Sequence, residues 1–287
     1  MNISKWINKN TRSLVGKRVV ISGSTGGLGR ELCLHLAGLG ASLVLLDRNG
    51  GKSLAFAGEL KDKYPGLSVS HIIADMSDMA SVRAAADELL AMEIDYLILN
   101  AGAYSIPRCI CESGYDNVFQ INFVSPYYLA RRLLPNIRKR GGRVVAVGSI
   151  AHNYSKIDEK DIDFRSRGQA SLVYGNAKRF LTYSLLDISE GDVIVAHPGI
   201  SFTGITNHYP PLIFALIKHP MKIIFMKPRE ASLSVLYALF AEVRDDEWIG
   251  PNLFDVWGLP KVKKLRTASK KEQDLITDIA EKIYKSL

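Results

Sequence analysis

Short runs of β-branched and leucine residues alternate with helix-periodic stretches along most of this 287-residue chain. Val19-Val20-Ile21, Leu43–Leu46, Val69–Ile73, Tyr96–Leu99, Val144–Val147 and Val193–Ala196 are expected to be buried strands, apolar on both faces. Between them, Leu28, Leu32 and Leu36, or Val82, Ala86 and Leu89, recur at helical spacing. Strands buried on both faces need helices above and below them, and strand–helix–strand units of this kind wind right-handed into a parallel sheet. The expectation is an α/β protein: a single domain with a doubly wound parallel sheet of about seven strands and helices on both faces. The pattern runs without a linker or repeat over residues 17–260. Residues 1–16 are expected to be a basic N-terminal extension, and residues 261–287 a basic tail with a helix around Gln273–Tyr284.

The sequence places its chemistry at the ends of these strands. The first strand runs through Ser22-Gly23-Ser24-Thr25-Gly26-Gly27-Leu28-Gly29 directly into a helix. Glycine lets backbone turn tightly and approach a phosphate, while a helix start offers free N–H groups and a favourable dipole. The second strand ends in Asp47-Arg48-Asn49. An acid there accepts hydrogen bonds from ribose hydroxyls and repels a 2′-phosphate, whereas an arginine welcomes it. Asp47 favours NAD; Arg48 leaves NADP open, a surface ion pair being its other reading. Asp75-Met76-Ser77 follows the third strand, where the acid reads as a helix N-cap. Asn100-Ala101-Gly102 follows the fourth, where small residues admit a ligand close to backbone.

Tyr174 and Lys178 stand four apart and share one helical face. A tyrosine with an ordinary pKa near 10 is a poor acid–base catalyst at neutral pH, and a neighbouring ammonium lowers it. Ser149 follows the fifth strand, and Asn122 lies in the helix beginning near Tyr115.

Together these motifs resemble the short-chain dehydrogenase/reductase family over residues 17 to about 256, with Ser22 where threonine is usual and Ala177 where serine is often found. The resemblance implies a Rossmann fold and reversible hydride transfer between a nicotinamide cofactor and an alcohol or carbonyl. It assigns catalysis to Asn122, Ser149, Tyr174 and Lys178. Cofactor contacts would come from Gly23, Ser24, Thr25, Gly27, Leu28, Gly29, Asp47, Arg48, Asp75, Met76, Asn100, Ala101, Gly102, Tyr174 and Lys178. Past the sixth strand, Pro198-Gly199-Ile200 and Thr203 would hold the nicotinamide end. Asn122 would anchor a water in the proton relay. Asn153–Gln169, Glu112-Ser113-Gly114-Tyr115 and Lys227-Pro228-Arg229-Glu230-Ala231 are similar to the retinol dehydrogenase-like, carbonyl-reducing branch. An apolar stretch, Tyr209–Met226, falls where the family carries its substrate lid (about 201–226), with core packing or an oligomer contact as the competing reading. The competing functions are an epimerase or dehydratase of the same family and a dinucleotide-sensing protein that no longer catalyses.

Composition narrows the rest. The net charge of +8 resides in the two ends: residues 1–18 carry five basic side chains and no acid, and residues 261–287 carry eight against four. Such ends are expected to be solvated arms, with peripheral contact to an anionic membrane as the alternative. No basic stripe joins a recognition motif, so nucleic acid is not an expected partner. The expected partner is a small apolar alcohol or carbonyl, and the expected state a monomer or homodimer. Neither a signal peptide nor a transmembrane run is evident. Cys33, Cys109 and Cys111 suit a reduced, cytoplasmic protein. His152 and His197 are expected to be polar neighbours of the site, and no metal site is expected.

Overall fold

The structure is a computed structural model that describes residues 3–200, 226–266 and 268–287. Its centre is an eight-stranded sheet in the order β3-β2-β1-β4-β5-β6-β7-β8. The strands are β1 (Arg18–Ser22), β2 (Ser42–Asp47), β3 (Val69–Ile73), β4 (Tyr96–Leu99), β5 (Arg143–Val147), β6 (Val193–Ala196), β7 (Glu247–Leu253) and β8 (Trp257–Lys264). All neighbours pair parallel except β7 and β8. The order reverses direction between β1 and β4, and an open sheet of this kind takes ligands outside the carboxyl ends of its strands at that point.

Each face of the sheet carries its own core. On one face, α2 (Gly27–Gly38), α3 (Gly50–Lys63) and α8 (Pro228–Tyr237) bury Leu32, Leu36, Phe56 and Leu233 against Val19, Ile21 and Ile98. On the other, α4 (Met79–Leu90), α6 (Ser125–Lys139) and α7 (Ala170–Asp187) cover Val20, Leu97 and Val144. Successive residues of a strand point to opposite faces, so Val19 and Val20 fall in different cores. A short α5 (Asn117–Phe119) and a π turn over Gln120–Val124 lead into α6.

The sheet has one strand more than expected. Its outermost strand, β8, has no fully buried residue and presents Lys261, Lys263 and Lys264. An antiparallel edge strand of that composition resists pairing with other chains, and it leaves no apolar run to read in sequence. The two basic ends also depart from the expectation of solvated arms. The first helix, α1 (Ile3–Asn10), sets Trp6 edge-on against Tyr237 at 5.6 Å. The last, α9 (Lys270–Ser286), buries Ile276, Ile279, Ala280 and Ile283, the spacing of one helix face. Among the described residues, no helix is long and apolar enough to cross a membrane.

Candidate active site

The first turn of α2 is open. Its N-cap, Gly26, supplies no side chain, and Gly26 and Gly27 are exposed while Leu28 is half-buried, so the first N–H groups of the helix receive no side-chain cap. Gly23 takes a φ of 68°, and a Cβ there would come within 3.0 Å of the Ala101 backbone. A Cβ on Gly29 would collide with the Gly23 carbonyl and lie 2.8 Å from Asn100 Nδ2. These glycines bring the turn flush against the end of β4. Asn100 Nδ2 donates to Ser22 O at 2.9 Å and Gly23 O at 3.0 Å, and the Ser22 hydroxyl accepts from the backbone of Asn100 and Ala101. Gly102 stays exposed, with its Cβ position 3.8 Å from Lys178 Nζ.

Asp47 is buried at the end of β2. Its carboxylate accepts from the Ser24 hydroxyl, from Thr25 N and Thr25 Oγ1 at 3.2 Å, and from Ser53 Oγ at 3.0 Å. It therefore ties the glycine turn to α3, through donors that are all neutral. Ser53 was not evident as a contributor in sequence, since nothing marks a serine six residues beyond the acid. Arg48 points outward with 74% of its side chain exposed, and its Nε lies 4.0 Å from Asp75 Oδ2. Asp75 closes its own turn by accepting from Ser77 N and Ser77 Oγ, while the N-cap of α4 is Asp78. Met76 is buried and its carbonyl accepts from Ser125 Oγ at 2.7 Å.

Ser149, Tyr174 and Lys178 converge where β5 ends. Ser149 caps the 3-10 turn Ile150–Asn153, its Oγ accepting from Ala151 N at 3.2 Å. The Tyr174 hydroxyl hydrogen-bonds Ser149. Burial pushes the phenol up to about 12, against the opposing pull of that bond. Lys178 is 2% exposed, donates to Val147 O at 2.8 Å and stands 5.6 Å from the Tyr174 ring centre. Its burial lowers the ammonium pKa to about 7. Gly175 is a poor helix residue with a local purpose: a Cβ would strike Ala151 O, so only glycine lets α7 lie against the Ser149 turn.

Asn122 sits in the π turn, a helix irregularity common at functional sites. Its Nδ2 donates to Ala103 O and Val118 O, each at 2.8 Å, so its amide braces the loop after Gly102. Beside Tyr174 stands an apolar wall of Ile106, Val118, Phe164, Leu172 and Val173, with Tyr104 edge-on to the tyrosine ring at 5.3 Å. Tyr104 and Leu172 carry no motif and were not evident in sequence. Asn153–Gln169 contributes to this wall through Phe164, and Asp163 within it accepts from Asp116 N at 2.8 Å.

Pro198-Gly199-Ile200 leaves β6 with a φ of 81° at Gly199, and Ile200 N donates to Val256 O at 3.2 Å. Thr203 and residues 209–225 of the expected lid lie outside the described residues. His152 and His197 are buried and both meet Trp248, His152 edge-on at 5.3 Å and His197 stacked at 5.5 Å.

Comparison with known proteins gives the family of the chain. The family profile described as short chain dehydrogenase matches residues 17–159. Retinol dehydrogenase 14 of Homo sapiens is 30% identical over 246 residues, covering 77% of this chain and 73% of that protein. Polyprenol dehydrogenase of Mus musculus is 26% identical over 241 residues, covering 79% and 72%. A solved structure from Mycobacterium Paratuberculosis, 24% identical, superposes over 96% of this chain and 95% of its own with a TM-score of 0.73. The chain belongs to the short-chain dehydrogenase family.

Proposed function

We propose that this protein is an NAD(P)-dependent oxidoreductase that interconverts an apolar primary or secondary alcohol and its carbonyl. The observation that carries the reading is the convergence of Ser149, Tyr174 and Lys178 where β5 ends, at the same carboxyl edge of the parallel sheet as the uncapped start of α2. When bound, the nicotinamide nucleotide supplies the hydride donor or acceptor.

The rest falls to the protein. The turn Gly23, Ser24, Thr25, Gly27, Leu28, Gly29 would hold the pyrophosphate, and Asn100, Ala101 and Gly102 would form the wall beside it. Asp75 and Met76 would border the adenine, and Pro198, Gly199, Ile200 and Thr203 the nicotinamide end. Tyr174 is protonated at neutral pH, with burial raising its pKa further, so it offers a proton to a carbonyl oxygen that Ser149 orients. Running the reaction as an oxidation asks Tyr174 to accept that proton, which a cationic Lys178 favours. Lys178 would also bind the nicotinamide ribose. The amide of Asn122 is committed to the backbone, so a water of the proton relay would be met by the main chain of the π turn.

NAD is the favoured cofactor. The four donors to Asp47 are neutral and leave its negative charge without a cation among the described residues, and Arg48 faces another acid, Asp75. A 2′-phosphate would meet net negative charge there. The apolar wall beside Tyr174 supports an apolar substrate, in keeping with the names retinol dehydrogenase and polyprenol dehydrogenase carried by two relatives. The test is a panel of apolar aldehydes, ketones and alcohols with NADH, NADPH and their oxidised forms, followed by reduced-nicotinamide absorbance. Turnover of an apolar carbonyl with NADH is expected; no turnover of any member with either cofactor would refute the proposal.

A further inference from the structure

The turn that carries Ser149 is held from behind by a chain of buried polar groups reaching the C-terminal helix. Arg179 follows Lys178 on α7 and is 7% exposed. Its Nε donates to Glu272 Oε1 at 2.8 Å and its Nη2 to Glu272 Oε2 at 2.7 Å, a two-pronged pair with the first turn of α9. The remaining prong, Nη1, donates to the His152 carbonyl at 2.8 Å. His152 is fully buried, and its Nδ1 lies 2.7 Å from the Ser149 carbonyl. A carbonyl only accepts, so this ring nitrogen carries the proton. The 3-10 turn Ile150–Asn153 is thus gripped at both ends, at Ser149 O by the imidazole and at His152 O by the guanidinium.

The grip is tied to the reacting side of the same helix. Tyr174 meets Ser149 from α7, and Gly175 brings α7 against Ala151. One turn further along, Arg179 fixes the other end of the 149–153 segment. The orientation of Arg179 depends on Glu272, because a planar guanidinium bound at two donors has only one direction left for the third. Tyr183 seats the approach to α9, donating to Arg266 O at 2.8 Å and accepting from Ala268 N at 2.9 Å. A buried ion pair is a poor source of stability compared with apolar packing, so fixing an orientation is the better account of this one.

We infer that Glu272, acting through Arg179 and the His152 carbonyl, positions Ser149 against Tyr174, which makes the C-terminal helix part of the active site's support. The inference rests on the proposed reading of Ser149 and Tyr174 as the reacting pair.

Glu272→Gln and Arg179→Lys in the full chain test it, beside wild type and Tyr174→Phe, with an apolar ketone that wild type reduces. Glu272→Gln keeps the shape and one acceptor, so it carries the test if Arg179→Lys does not fold. A sub-ångström misplacement of a hydrogen-bonding group costs about tenfold or more in turnover. Both variants should therefore lose about that much kcat while NADH affinity stays within about twofold. Substrate KM should move less than kcat, because the lost orientation matters at the reacting oxygen. A lower melting temperature with unchanged kcat would overturn the inference, as would a parallel loss of kcat and NADH affinity. An inactive wild type, or an active Tyr174→Phe, would instead remove the reading beneath it and the inference with it.

Discussion

Replacing Lys178 with methionine should stabilise the protein while stopping its turnover. The side chain is 2% exposed, and burial alone takes its pKa from 10.5 to about 7. The unfolded chain keeps this proton up to 10.5 and the folded chain only to about 7, so this group makes stability rise with pH across that window. Below about pH 7 the folded protein bears the whole cost of burying the ammonium. The gap corresponds to roughly 5 kcal/mol, of which about 4 kcal/mol remains at pH 7 itself. Methionine removes that cost but also the donor to Val147 O, and a buried carbonyl left unpaired costs about 1–3 kcal/mol. The net expectation is a gain of about 1–3 kcal/mol at pH 7, shrinking with pH and becoming a loss by pH 10.5. Urea denaturation of both proteins at several pH values between 7 and 10.5 measures it. A variant less stable than wild type at pH 7, or a difference that does not change with pH, would refute the reasoning. Stability surrendered at a site of chemistry is a known trade, and the accompanying loss of turnover would identify what the lysine is kept for.

Three further substitutions probe separate parts of the proposed site. Asp47→Ala removes the carboxylate proposed to repel a 2′-phosphate and should raise the NADPH-to-NADH affinity ratio by about tenfold, some 1.4 kcal/mol; a wild type that already binds NADPH tenfold tighter would give Arg48 the decisive role. Gly102→Val places a side chain whose Cβ lies 2.8 Å from Asn122 Oδ1 and 3.8 Å from Lys178 Nζ. Binding of NADH, followed by fluorescence titration, should weaken by about tenfold or more, and unchanged affinity would exclude this wall from the cofactor site. Leu172→Ser opens the apolar wall and should cost about 1–3 kcal/mol of apolar substrate binding, seen as a raised KM with NADH affinity intact. An unaltered KM would place the substrate elsewhere.

The centre of the parallel sheet was legible because its strands are buried on both faces and so are written as unbroken apolar runs, as in Val19–Ile21 and Val144–Val147, whereas β3 at the edge is only half buried and carries Ser70 and His71. The opposite condition hid β8, whose residues are all exposed or half-buried and whose lysines read as a charged tail. The packing of α1 and α9 was hidden for a related reason: Trp6 and Ile279 are scattered among lysines, and only the neighbours they meet distinguish a docked helix from a solvated one. At the site, glycines and the Tyr174–Lys178 spacing are local signals, because a tight turn or one helix face is fixed within a few residues. The partners of Asp47 and Asn122 are not local. Ser24 and Ser53 reach Asp47 only because α3 folds back beside the glycine turn, and Ala103 meets Asn122 only across the β4 loop. The direction of Asp47 follows from those donors, and no spacing in the sequence encodes it.

The most direct test of the account is the proton that Tyr174 is held to transfer. Tyr174→Phe keeps the ring, its packing against Tyr104 and the neighbouring Lys178, and removes only the hydroxyl bonded to Ser149. Wild type and variant should be compared for reduction of an apolar ketone by NADH and for NADH binding in the same buffer. Turnover reduced by about a thousandfold or more, with NADH affinity nearly unchanged, is the predicted result, the range expected when a general acid and its oxygen-orienting bond are lost together. Turnover near that of wild type would contradict it, because the tyrosine would then have no part in the chemistry.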